Sequence, residues 1–318
     1  MRVGVVGCGA VGSLFAAHLA QLDDVEVWAY DVSEPHVAAI NRDGLRLVGL
    51  RECVVKLEAT TDASELPPLD FGIVATKGMF TRPAIEAAAH AFRDGAVCSV
   101  QNGVGNEEII AEHVARVIRG TTFPAGRVLE PGVVRFDTGG KTWIGPFEPQ
   151  PAGMDEVCSL ADTLSRSGME TEALPDARGA QWTKLIFNAT SNGITALTGL
   201  THGRACMHPD VRWLMDRVIE EGKQVAAALG VTMERDPAAL LADTIEAAYE
   251  HRPSMLEDVA ARRQTEIEMI NGGICRFGDE VDVPTPYNRA VRALVLGIEA
   301  SWQQDASPQR DASPHQEE

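Results

Sequence analysis

The sequence predicts an α/β protein: a doubly wound parallel sheet in the N-terminal part, followed by an all-helical C-terminal domain. Three observations carry this prediction. From Val3 to Gly120, short β-branched runs alternate with longer amphipathic segments, the pattern of βαβ units. A glycine-rich turn joins the first run to the first amphipathic segment. From about Ala177 onward the only periodicity is the 3.6-residue repeat of helices.

The elements follow in order. Strands are predicted at Val3–Val6, Val25–Tyr30, Phe71–Ala75, Val97–Val100 and Val117–Gly120, each rich in β-branched residues. Helices are predicted at Ala10–Leu22, Glu34–Arg42, Arg82–Phe92 and Asn106–Val114. A β-rich stretch from Arg127 to Ile144, broken by Pro131-Gly132 and Gly139-Gly140, reads as antiparallel strands that extend the sheet. Helical patterns then cover Gln181–Thr195, Val211–Leu229, Pro237–Tyr249, Ser254–Asn271 and Thr285–Trp302. The chain is therefore divided near Pro175, giving domains 1–175 and 176–303, with a ligand cleft expected between them. Residues 304–318 repeat Asp-Ala-Ser-Pro in polar surroundings and are expected to form a disordered tail.

Composition excludes several classes of function. The net charge is −18, which repels polyphosphate backbones and anionic lipid, so neither nucleic acid nor a membrane surface is an expected partner. No apolar run reaches the length of a membrane span, and Met1-Arg2 leads straight into a strand rather than a secretory leader. Cys8, Cys53, Cys98, Cys158, Cys206 and Cys275 show no paired spacing. That pattern favours a reducing cytoplasm over a disulfide framework, and no metal site is expected. Apolar helical faces suit either a core or a homodimer, so both stay open.

Gly7-Cys8-Gly9-Ala10-Val11-Gly12 is a G-x-G-x-x-G run placed between a strand and a helix, the context in which it binds a dinucleotide. The first glycine permits the tight turn, the second admits the pyrophosphate and the third lets helix and strand pack closely. The helix N-terminus offers N–H groups and positive potential to the phosphates. These are the marks of a Rossmann-type domain. Asp31 ends the second strand nineteen positions after Gly12, where a carboxylate binds the adenine ribose and repels a 2′-phosphate. The expected cofactor is NAD(H) in preference to NADP(H).

Further patches recur in order along the chain. They are Ala75-Thr76-Lys77, Gln101-Asn102-Gly103-Val104-Gly105, Gly120-Thr121-Thr122, Trp182-Thr183-Lys184-Leu185 with Asn188 and Asn192, Ser254-Met255-Leu256, Thr265-Glu266-Ile267 and Ile270-Asn271-Gly272. With the glycine run, they make the sequence resemble the ketopantoate reductase (2-dehydropantoate 2-reductase) family over most of its length. The resemblance implies a Rossmann domain followed by a helical one. It also implies that Lys184 is the catalytic lysine that protonates the keto oxygen and that Glu266 helps to hold cofactor and lysine. Lys77 and Asn102 would line the cofactor, and Asn102, Lys184, Asn188, Asn192 and Ser254 would contact substrate. The sequence departs from the family pattern at His202 and His251, where family members tend to carry asparagine, and at Asp31, where they tend to carry a basic residue.

The residues support part of this independently. Lys184, Asn188 and Asn192 are spaced i, i+4, i+8 and share one ridge of a helix, where donors would suit a carboxylate. Ser254 with Glu257 reads as a capping box. Glu266, with Arg262 and Arg263 at i−4 and i−3, also reads as a member of a helical ion-pair network. The expected function is hydride transfer between NADH and a small anionic 2-keto acid such as 2-dehydropantoate. Two enzymatic alternatives are an opine-type dehydrogenase and another NAD-dependent 2-hydroxy acid dehydrogenase of the same family. A non-catalytic NAD(H) sensor is the alternative from a different class.

Overall fold

The computed structural model describes residues 1–306. Residues 307–318, which hold most of the expected tail 304–318, lie outside the described residues, and 304–306 close the last helix. The chain forms two compact units. The first comprises Met1–Leu185 with Ala226–Pro237, and the second comprises Ile186–Val225 with the chain from Ala238 onward.

The first unit opens as the sequence predicts, with β1 (Arg2–Val6), α1 (Ala10–Leu19), β2 (Glu26–Tyr30) and α2 (Glu34–Asp43). Three short strands that periodicity does not announce follow: β3 (Leu45–Gly49), β4 (Cys53–Val55) and β5 (Glu58–Thr60). Then come β6 (Phe71–Val74), α3 (Thr81–Ala88), β7 (Ala96–Ser99), α4 (Asn106–Ala111) and β8 (Val117–Thr122). The unit continues through β9 (Ala125–Glu130), β10 (Val133–Thr138), β11 (Thr142–Pro146), α5 (Met154–Arg166) and β12 (Thr171–Ala173). Glu156 starts α5 by accepting the Gly153 N–H at 2.8 Å, the carboxylate half of a capping box.

Eight strands form the main sheet in the order β12-β11-β8-β7-β6-β1-β2-β5. All its pairs are parallel except β11 against β8. The order reverses at β1, which pairs with β2 on one side and β6 on the other. Val3, Val5, Ile73, Cys98 and Ile118 face a core with Leu14 and Phe15 of α1 and Leu160 of α5. Val6, Val74, Val97 and Val117 face the other core with Ile85 of α3 and Ile110 of α4. Burial on both faces explains why these strands read as unbroken apolar runs.

The Arg127–Ile144 stretch corrects the expectation in part. β11 does extend the main sheet, but β9 and β10 belong to a separate four-stranded sheet of order β4-β3-β10-β9. Val134 of β10 and Leu47 of β3, adjacent in that sheet, bury into the same core as Phe15. The stretch is thus drawn over α1 rather than laid along the sheet edge.

The helices of the second half are α6 (Arg178–Thr198), α7 (His202–Met207), α8 (Pro209–Ala228), α9 (Pro237–Ala247), α10 (Ser254–Ala260), α11 (Asn271–Glu280) and α12 (Pro286–Ala306). The division into compact units falls within α6, whose first turns pack with the sheet-bearing unit. A Cβ on Gly179 would lie 2.3 Å from the Thr232 carbonyl, and Thr183 Oγ1 donates to the Arg235 carbonyl at 3.0 Å. The second unit is tied by a buried polar chain. Glu221 of α8 accepts from the Tyr287 and Asn288 N–H groups at the start of α12. The Asn288 amide oxygen accepts from Asn271, which also donates to the Ala189 carbonyl of α6.

One expected element is split. Ser254–Asn271 forms α10 and then a run of turns before α11, with Arg262 at φ 50°. Thr265 accounts for the break, since its N–H and hydroxyl both donate to Glu299 of α12, at 2.9 and 2.6 Å. Among the described residues, no helix is long and apolar enough to cross a membrane.

Candidate active site

The glycine run lies at the C-terminal end of β1, at the point where strand order reverses, where ligands of open α/β sheets bind. Gly7 has φ +88°, and a Cβ there would lie 2.7 Å from the Thr76 backbone nitrogen. A Cβ on Gly12 would lie 2.0 Å from the Gly7 carbonyl oxygen, so neither position accepts a side chain. Gly9 differs: beyond its own chain neighbours, no protein atom lies within 4 Å of its Cβ position. The protein itself imposes nothing on Gly9, which fits a position kept bare for a pyrophosphate. Gly9 is also the N-cap of α1 and offers no side-chain cap, so the first-turn N–H groups of Ala10, Val11 and Gly12 suit an anion. Cys8 is fully buried, and burial pushes its thiol up to about 12, with Ser13 hydrogen bonding opposing the shift. It packs the loop rather than reacting.

Asp31 follows β2 and is half-buried, with Oδ1 accepting the Ser33 N–H at 2.8 Å. This bond orients the carboxylate where the adenine ribose is expected. Lys77 follows β6 and Asn102 follows β7, both half-buried. The sequence-predicted cofactor residues of the first unit thus all stand at the C-terminal ends of neighbouring parallel strands, and they fit a nicotinamide dinucleotide.

Lys184 completes this group within the first unit. Its Nζ donates to Asn102 Oδ1 at 2.8 Å and to the Thr122 carbonyl at the end of β8. The Phe123 ring centre lies 5.6 Å away, close enough for a cation–π contact. One amine therefore reads both the loop after β7 and the end of β8. Along α6, Asn188 and Asn192 continue the ridge and are buried, 8% and 6% exposed.

Within the second unit the outcome is mixed. Ser254 is exposed and is the first residue of α10, whose N-cap is Pro253, so the expected capping box is absent. The Glu257 carboxylate instead pairs with Arg252. Glu266 is half-buried in the turns before α11, so it does not share a helix with Arg262 and Arg263 as expected. Arg263 pairs with Asp258 at 3.1 Å. His202 is 1% exposed, its Nδ1 lying 2.9 Å from Ser191 Oγ and its Nε2 3.1 Å from Thr244 Oγ1. Burial, with a smaller contribution from His251, pushes its pKa down to about 4. It is a neutral link between α6, α7 and α9, with both ring nitrogens engaged.

Comparison with known proteins places this geometry. Residues 3–149 match the family described as "Ketopantoate reductase PanE/ApbA", and residues 176–299 match "Ketopantoate reductase PanE/ApbA C terminal". The chain belongs to the ketopantoate reductase family. Among curated relatives, the 2-dehydropantoate 2-reductase of Pyrococcus abyssi is 33% identical over 94% of this chain and 98% of its own. That of Archaeoglobus fulgidus is also 33% identical, with the same coverage. Among solved structures, a PanE/ApbA family ketopantoate reductase from Ralstonia eutropha JMP134 superposes with TM-score 0.85 at 32% identity, covering 95% of this chain and 100% of that one. D-mandelate dehydrogenase in ternary complex with NADH and anilino(oxo)acetate gives TM-score 0.86 at 26% identity, covering 95% and 100%.

As a member of the ketopantoate reductase family, the chain is an oxidoreductase that works with a nicotinamide cofactor. Sequence reading assigned no role to the polar residues that brace the loops after β6 and β7. Gln101 Nε2 donates to the Thr76 carbonyl at 2.9 Å and lies 2.7 Å from Thr81 Oγ1. Asn106 Nδ2 donates to the Asn102 carbonyl at 3.1 Å, and Gln181 donates to Glu107 at 2.6 Å. The only signal for them in the sequence was adjacency, with Gln101 beside Asn102 and Gln181 one helical turn before Lys184.

Proposed function

We propose that the chain transfers hydride between a nicotinamide cofactor, NADH in preference to NADPH, and a small 2-keto acid such as 2-dehydropantoate, giving the 2-hydroxy acid. The observation that carries this reading is Lys184 Nζ held 2.8 Å from Asn102 Oδ1 at the strand ends that bear the glycine loop. When bound, the nicotinamide supplies the hydride. Lys184 holds the proton for the keto oxygen at Nζ, and its bonds to Asn102 and the Thr122 carbonyl restrict the direction in which that proton points. Asn102 and Lys77 line the cofactor. Asn188, Asn192 and Ser254 offer donors to the keto acid, and Glu266 steadies cofactor and lysine. Curated relatives named 2-dehydropantoate 2-reductase support the substrate class. Asp31 and the likeness to the NADH complexes of D-mandelate dehydrogenase support the cofactor preference. The free cysteines suit a reducing cytoplasm.

The mandelate enzyme's likeness also favours a second reading, oxidation of a 2-hydroxy acid with NAD⁺ by the same residues in reverse. One experiment addresses both. A panel of 2-keto acids, each with its methyl ketone and methyl ester, is assayed with NADH and NADPH by loss of nicotinamide absorbance, and the matching 2-hydroxy acids are assayed with NAD⁺. Each hydrogen bond to the carboxylate contributes roughly 1.5–3 kcal/mol, so the acids should exceed their uncharged analogues by at least about tenfold in kcat/KM. Equal turnover of the uncharged analogues, or a preference for NADPH, overturns the corresponding part of the reading.

A further inference from the structure

We propose that Glu107 and Gln181 form a buried clamp that positions Lys184, an inference that rests on Lys184 being the proton donor. Glu107, at the start of α4, is 2% exposed. Its Oε1 accepts from Gln181 Nε2 at 2.6 Å, and the same amide nitrogen lies 3.5 Å from the Gly103 carbonyl. Gln181 and Lys184 are three residues apart on α6 and therefore share a face within one turn. Lys184 grips Asn102, and Gln181 grips Gly103 and Glu107. The loop after β7 and the first turns of α6 are thus joined at two points. A single contact would leave the helix free to turn about its axis, whereas two fix both its rotation and its height.

The loop that receives the clamp is itself anchored. Asn106 Nδ2 donates to the Asn102 carbonyl, Thr81 Oγ1 donates to Asn106 Oδ1 at 2.9 Å, and Gln101 bonds Thr76 at the end of β6. A shift of α6 would therefore break bonds rather than carry the loop along. A buried carboxylate without a partner is costly, and in this interior Glu107 answers to Gln181 and to the Arg119 guanidinium of β8, with Glu108 beside it on α4. Burial pushes its pKa up to about 7, against the pull of Arg119. What α6 uses is the acceptor oxygen, Oε1, which takes the Gln181 N–H.

The test compares Glu107→Ala, Glu107→Gln, Gln181→Ala and the Glu107→Ala/Gln181→Ala double variant. Three quantities are measured: kcat with the best keto acid, NADH affinity by fluorescence, and competitive acetic anhydride labelling of Lys184 against the exposed Lys56. Glu107→Ala should lower kcat roughly tenfold to hundredfold, the scale of a small misplacement of a catalytic group, and leave NADH affinity unchanged. Lys184 labelling should rise toward that of Lys56. Glu107→Gln should restore kcat and labelling, because its amide oxygen still accepts from Gln181. Gln181→Ala should match Glu107→Ala, and the double variant should be no worse than either. Wild-type kcat and labelling in Glu107→Ala would overturn the clamp. So would failure of Glu107→Gln to rescue, with melting temperature and NADH affinity falling together. If the wild type reduces none of the keto acids, the proposed reaction fails, but Lys184 labelling across the variants still decides the clamp: a rise supports it and no change overturns it.

Discussion

Lys184 gathers three partners from two places in the sequence, Asn102 and the adjacent pair Thr122 and Phe123. Its ammonium faces a side-chain oxygen, a main-chain oxygen and an aromatic ring, while the glycine loop is built without it. Lys184→Ala should therefore lower kcat by roughly 10²–10⁴, the usual scale for removing a positioned acid, while NADH affinity by fluorescence titration stays near the wild-type value. A parallel loss of both would place the lysine in cofactor binding instead. Asp31 is the second residue with a sharp consequence. Two like charges at close range, partly screened, cost on the order of 1–3 kcal/mol. NADH should thus exceed NADPH by roughly tenfold to a hundredfold in kcat/KM, and Asp31→Ser should shrink the ratio by raising NADPH turnover. An unchanged ratio in the variant would remove Asp31 from the discrimination. The Lys184–Asn188–Asn192 ridge was legible because helical spacing alone aligns it. The Lys184–Asn102 bond was not, since the two residues are separated by 82 positions and nothing local announces their meeting.

At the scale of elements, the β1–α1 turn is the most constrained. A methyl group on Gly12 would sit 2.0 Å from the Gly7 carbonyl, backbone that cannot step aside without dragging β1. Gly12→Ala should destabilise by about 1–3 kcal/mol, the range for overpacking a tight interior, and should weaken NADH binding. Gly9→Ala should weaken NADH binding with almost no change in melting temperature, because its Cβ position meets no protein atom beyond its own chain neighbours. Calorimetry and fluorescence on the two variants would separate the roles, and equal losses of stability would refute the distinction. The central parallel strands of the main sheet were readable because burial on both faces makes them largely apolar. β3, β4, β5 and β12 escaped notice because they are either interrupted by charged residues or only three residues long. The break between α10 and α11 escaped for a different reason. Ala261-Arg262-Arg263-Gln264 favours helix by propensity, and the bonds of Thr265 to the distant Glu299 of α12 oppose it.

For the whole molecule, stability toward acid follows from its buried histidines. His202 stays neutral in the fold down to about pH 4, whereas the unfolded chain takes up that proton near pH 6.5. Between these values the unfolded state binds more protons, so stability falls as pH falls, by up to about 1.4 kcal/mol per pH unit for one such group. Burial lowers His18 and His36 as well, adding in the same sense, while the raised Glu107 acts in the opposite sense between its ordinary value and about pH 7. A single substitution isolates one contribution. His202→Asn, which keeps a donor and an acceptor for Ser191 and Thr244, should lose less melting temperature than the wild type between pH 6.5 and 4. Parallel curves would mean that His202 is not the residue resisting the proton. The division of the chain has a consequence in time as well as in space. The polypeptide passes between the two units three times, and the sheet-bearing unit reclaims 226–237 after the second unit has begun. During synthesis at about 5–20 residues per second, the segment that seats against Gly179 and Thr183 emerges several seconds after Leu185. The order of emergence differs from the order of completion: the first unit starts first, yet it cannot close until part of its neighbour has been made.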